Sequence, residues 1–138
     1  MDRIFNTMKN IRPIAIFLAV FIIVAAFRTP GNSIISFKET KFNFGFIRQG
    51  EIVSHDFEFT NNGDAPLIIS DAEVTCTCTT VDFPKKPLMK GEKGNVKVTF
   101  DSKSAIDRQE RSVKVYSNGS AEPVILTFKC VVLKTKGE

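Results

Sequence analysis

IVSHDFEFT, residues 52–60, alternates along its length. Val53, His55, Phe57 and Phe59 fall on one side, and Ile52, Ser54, Asp56, Glu58 and Thr60 on the other. A period of two is that of a strand with one face buried, not of a helix. NNGDAP, residues 61–66, follows as a dense turn signal. The same period recurs downstream. NVKVTFD sets Val96, Val98 and Phe100 against Asn95, Lys97 and Thr99. RSVKVYS sets Val113 and Val115 against Ser112, Lys114 and Tyr116. VILTFKCVVL places Val124, Leu126, Phe128, Cys130 and Val132 on one face. RQGE, PKKPLMKGEKG and SNGSAEP lie between the runs and carry the Gly and Pro that reversals need.

No helix-period segment separates these runs, so parallel units with crossover helices are excluded. The pattern predicts an all-β domain over 31–138: an immunoglobulin-like antiparallel β-sandwich of seven to eight strands. There is no Trp, so the 13 Phe must supply the bulk of the core, apart from those near the N-terminus. Phe57, Phe59, Phe100, Leu126 and Phe128 are the expected centre. Phe42, Phe44 and Phe46 of FNFGF are expected on one side of a strand, with Gly45 at a bulge or a close backbone approach.

Residues 1–30 read differently. Arg3, Lys9 and Arg12 face a single acid, Asp2. The unbroken apolar run IAIFLAVFIIVAAF, residues 14–27, comes next. A basic start, an apolar stretch and a V-x-A exit are the parts of a secretory signal. Fourteen residues of helix span roughly 21 Å, short of a ~30 Å hydrocarbon core. Cleavage after Ala26 and an uncleaved anchor over residues 13–27 both fit, and either exports the remainder. The expected location is the periplasm or the outer face of the inner membrane. Residues 1–26 hold three of the 19 Lys and Arg and one of the 15 Asp and Glu, so the rest carries only +2 of the +4 net charge. The longest basic run there, Lys85-Lys86, is flanked by prolines, and no nucleic-acid surface is expected.

Chemistry-bearing residues are few. No hydrolase, metalloprotease, P-loop or dinucleotide motif is present, and no enzymatic activity is expected. His55 is the single histidine; local spacing supplies neither a nucleophile nor a carboxylate to orient it. NGS at Asn118 meets the glycosylation rule but is first a turn between strands. VTCTCTT, residues 74–80, is the one loaded element.

FNFGFIRQGEIVSHDFEFTNNGDAPLIIS (Phe42 to Ser70), then Cys76-Thr77-Cys78-Thr79, Lys90-Gly91-Glu92-Lys93-Gly94 and Ser117-Asn118, follow in a specific order. That order resembles the bacterial exported family known as domain of unknown function 1573. Its members look like immunoglobulin-like domains of the ASH and major-sperm-protein type. Thr77 stands where the family usually has Gly, and Cys130 is an extra thiol. The resemblance implies fold and location rather than mechanism.

If 74–80 is extended, Cys76 and Cys78 share a face with Cβ atoms ~6–7 Å apart, beyond disulfide reach without a turn or bulge. Three states of the thiols are open: none bridged, Cys130 with Cys76 or Cys78, or Cys76 with Cys78 across a turn. A bridge through Cys130 suits an extended strand better than one within the pair. Two functions from different classes follow. One is an exported binding or structural module that needs no cofactor and docks a protein or envelope component through loops or a sheet edge. The other is a periplasmic thiol or copper-handling protein, with Cys76, Cys78 and His55 as copper ligands.

Overall fold

The computed structural model describes residues 31–134; the expected N-terminal helix lies outside them. Eight strands run in chain order: β1 (Ile35–Phe37), β2 (Lys41–Arg48), β3 (Ile52–Asn61), β4 (Ile69–Val74), β5 (Thr79–Asp82), β6 (Lys93–Asp101), β7 (Asp107–Ser117) and β8 (Val124–Leu133). They form two four-stranded sheets, ordered β1-β3-β6-β5 and β2-β8-β7-β4. No described residue is helical.

The alternation read from the sequence sets the inner faces. Phe57, Phe59, Val96, Val98 and Phe100 line one sheet, and Val113, Val115, Leu126, Phe128 and Cys130 line the other, all at most 2% exposed. Phe100 and Phe128 meet across the gap with ring centroids 5.3 Å apart. All five expected core residues are therefore in the core. Each buried Phe removes a large apolar area from water, and this shared burial is what joins the two layers.

One pairing departs from the antiparallel expectation. β2 runs parallel to β8, with Phe42 opposite Phe128 and Ile47 opposite Val132. A parallel pair needs a long crossover, and a helix is the usual one. Here the crossover is the rest of the sandwich: between β2 and β8 the chain runs through β3, β5 and β6 of the other sheet and β4 and β7 of this one.

A second departure is the direction of Phe46. The register slips between Asn43 and Gly45, where Gly45 adopts φ +73°. A bulge inserts one extra residue and turns every later side chain to the opposite face. Phe42 and Phe44 pack against the core, but Ile47 rather than Phe46 continues inward. Phe46 is left 75% exposed.

At the end where Gly31 enters, Asn61 organises three loops. It is fully buried. Its Nδ2 donates to the Ala65 and Leu88 carbonyls at 2.8 and 2.9 Å. Its Oδ1 accepts from the N–H of Gly63 at 2.9 Å. A Cβ at Gly63 would lie 2.1 Å from the Asn32 carbonyl oxygen, so only glycine fits. Asn118 closes the same end: its Oδ1 accepts from the Ile68 N–H at 2.8 Å and its Nδ2 donates to Pro66 O at 3.0 Å. The Asn-Gly turn thus uses its amide internally, as the turn reading of NGS expects.

Candidate functional site

The C-x-C element is not extended. β4 ends at Val74 and β5 begins at Thr79 in the other sheet, so the four intervening residues carry the chain across the sandwich edge. The Thr79 N–H donates to the Cys76 carbonyl at 3.1 Å, closing a turn. Within that turn Cys76 and Cys78 approach to a Cα separation of 5.2 Å and form a disulfide. Cys130 is a free, buried thiol in β8. Of the three states left open, neither the unbridged set nor a bridge from Cys130 to Cys76 or Cys78 is found, and Cys76 pairs with Cys78: the turn supplies the approach that an extended strand denies. The run of Thr around the cysteines suits strands and hides the reversal. Burial pushes the Cys130 thiol up from its ordinary range, with the Arg111 charge opposing the shift.

The copper set does not assemble. Cys76 and Cys78 are bonded to each other, and His55 is engaged elsewhere. Among the described residues no group of three His, Cys, Asp or Glu could hold a metal ion. The His55 ring stacks on Phe42, centroids 3.5 Å apart and planes within 9°, and meets Phe57 edge-on. Its Nε2 lies 2.9 Å from Glu39 Oε1. The sequence reading missed this carboxylate because Glu39 sits in the switch between β1 and β2, 16 residues upstream. The pair ties that switch to β3.

Around the disulfide the sequence reading also missed Arg111. It shares a face of β7 with the buried Val113 and Val115, and its register partner in β8 is Phe128. The residue therefore points toward the space between the sheets, beyond the point where β4 has left. Nη1 donates to the Glu110 carbonyl and Nη2 to Gln109 Oε1. Nε is buried and has no hydrogen-bond partner. Such an atom is uncommon, because a buried polar group without a partner is unfavourable. Arg111 and Cys76 line one open recess together with Thr75, Glu110, Ser112 and Thr127. Cys78, on the other side of the bond, packs against the core.

Both sulfurs carry a nearby donor. The Cys78 N–H donates to Cys76 Sγ at 3.1 Å. Thr79 Oγ1 lies 3.9 Å from Cys78 Sγ; the bonded sulfur has no proton, so the hydroxyl is the donor. The signal for this arrangement was present in C-T-C-T, but Arg111 lies more than 30 residues away and has no motif of its own.

Solved structures share the fold at low identity. A protein of unknown function from Porphyromonas gingivalis W83 superposes with a TM-score of 0.66 at 14% identity, over 78% of this chain and 50% of that one. The ASH/PapD-like domain 7 of human CEP192 gives 0.56 at 12% identity, over 74% and 87%. The secreted serine protease VesC from Vibrio cholerae gives 0.58 at 17% identity, over 75% and 24%. This chain spans half the length of the Porphyromonas structure and about a quarter of VesC, and these likenesses concern the fold alone. No curated protein matches. Residues 35–132 match the family model described as "Protein of unknown function (DUF1573)", and the chain belongs to that family.

Proposed function

We propose that this chain is an exported immunoglobulin-like binding module of the bacterial envelope that docks a protein partner along the β2 edge. The supporting observation is Phe46. The backbone adopts a left-handed glycine at position 45, and the next residue is a phenylalanine exposed to solvent. On the outer face Phe46 lies beside Val131 of β8, which lies beside Arg108 of β7. Leu133, 49% exposed, lies two residues beyond Val131 on the same face. An aromatic anchor with aliphatic neighbours and an arginine at its border is the composition of an interaction hot spot. β2 is also an edge strand, open to a partner's backbone. Residues 1–30 supply the export signal or anchor.

A photo-crosslinking residue placed at position 46, in cells that express the full chain, tests the reading. The expected result is a discrete adduct with one envelope protein. The same probe at Lys97, exposed on the outer face of the other sheet, is expected to give none. Equal labelling from both positions would overturn the proposal.

A further inference from the structure

We infer that the Cys76–Cys78 disulfide is a thiol–disulfide exchange site that accepts two electrons from a dithiol of a partner protein, with Cys76 as the attacked sulfur. This goes beyond docking through β2 and uses a different part of the molecule.

Four observations converge on it. The bridge joins residues two apart, so it closes one of the shortest loops a disulfide can close and constrains the unfolded chain very little. A structural role therefore explains little of its presence. The two cysteines differ in setting: both are half-exposed, but Cys76 lines the open recess and Cys78 packs against the core. Attack on Cys76 with departure of Cys78 is the order this geometry favours. Each sulfur also has a hydrogen-bond donor in place, the Cys78 N–H for Cys76 and the Thr79 hydroxyl for Cys78. A donor to sulfur favours the thiolate, and a better-stabilised leaving thiolate departs faster. Arg111 also lines the recess, and its buried Nε has no hydrogen-bond partner. The positive charge of this residue favours a thiolate over a thiol at Cys76.

The chemistry balances without a metal or cofactor. A partner thiolate forms a bond to Cys76 Sγ, and the Cys76–Cys78 bond breaks. Cys78 Sγ leaves with the electron pair and accepts the Thr79 hydrogen bond. The partner's second thiolate then attacks its own first sulfur, and Cys76 leaves as a thiolate. The partner dithiol becomes a disulfide, Cys76 and Cys78 become a dithiol, and the two protons lost by the partner are available to them. The reverse sequence with a disulfide-bearing partner restores the starting state.

The test uses the full chain in mild detergent, with reduced glutathione and dithiothreitol as probes, acid quenching and mass spectrometry. Glutathione is expected to form a mixed disulfide at Cys76 and none at Cys130. Dithiothreitol is expected to reduce the pair while circular dichroism stays native. Once reduced, Cys76 is expected to alkylate with a pH midpoint below the ordinary thiol value of about 8.5. Arg111→Gln should raise that midpoint and slow exchange ~10-fold, and Thr79→Val should slow it ~3–10-fold. Cys130→Ala should leave the rate unchanged. Reduction that proceeds only at the rate of global unfolding would overturn the inference. So would an Arg111→Gln variant with an unshifted Cys76 midpoint and an unchanged exchange rate.

Discussion

At the end of the sandwich where Gly31 enters, the buried amide of Asn61 is bonded at both its nitrogen and its oxygen, and Gly63 admits no larger residue. At the opposite end a short cross-sheet turn carries a half-exposed disulfide, and a buried guanidinium nitrogen lacks a partner. The first end follows the ordinary rule that buried polar groups are satisfied. The second breaks that rule, and such breaks concentrate where a protein does something other than fold. The loop and strand elements that carry the family resemblance divide the same way. Asn61 and Gly63, within the Phe42 to Ser70 stretch, and the late Ser117-Asn118 turn belong to the locked end. The C-x-C element belongs to the other.

The midsection sets the scale for any test of this contrast. Phe57 is fully buried, pairs with Val96 in the sheet and touches His55 edge-on. Phe57→Ala is expected to destabilise the domain by ~3–5 kcal/mol, a large part of the stability of a domain this size. Urea unfolding followed by circular dichroism measures it. A loss below ~1 kcal/mol would mean the β3 register is one residue out.

A smaller loss is expected at the locked end. Asn61→Ala removes the partner of two carbonyls and two N–H groups that stay buried or partly so. Each buried group left unpaired is unfavourable by ~1–3 kcal/mol, partly relieved by water, so a net loss of ~2–4 kcal/mol is expected. Asn61→Asp tests the same point differently, because it keeps the acceptor oxygens and removes both amide donors. If the alanine variant loses less than ~0.5 kcal/mol in the same melts, the loops hold without the amide and the contrast fails.

What the sequence made legible follows this division only in part. Strands, turns and the five central core residues were readable because alternation reports burial directly, residue by residue. Asn61 belongs to the family pattern, but its role is not readable there, since its partners come from residues 34, 63, 65 and 88. Alternation puts Phe46 inward, and the bulge at Gly45 reverses that phase. The parallel β2–β8 pair carries no local signal, because strands rather than a helix link the two. The turn at Cys76–Cys78 was concealed by β-branched Thr on both sides, which favours a strand assignment. Glu39 beside His55 and Arg111 beside Cys76 arise from packing between distant segments. No local period encodes such a meeting.

The smallest expected effect makes the sharpest test of the contrast, because its sign is at stake. Arg111→Met keeps the long stem in the gap beside Cys130 and Phe128 and removes the guanidinium. It gives up the bonds to the Glu110 carbonyl and to Gln109 Oε1, both close in sequence. It also removes the unpartnered Nε and the unfavourable desolvation of a partly buried charge. Replacing a buried charged group by an apolar residue of similar length is often neutral or stabilising. The expected outcome is a change within ~1 kcal/mol, with stabilisation the favoured sign. Asn61, fully paired, should lose stability on truncation; Arg111, incompletely paired, should not. Parallel urea melts of the two variants in the oxidised protein decide it. A loss above ~2 kcal/mol for Arg111→Met would make the guanidinium a structural strut, and the two ends would then obey one rule. A neutral or stabilised variant leaves Arg111 with no folding role to explain it, and the contrast between the two ends stands.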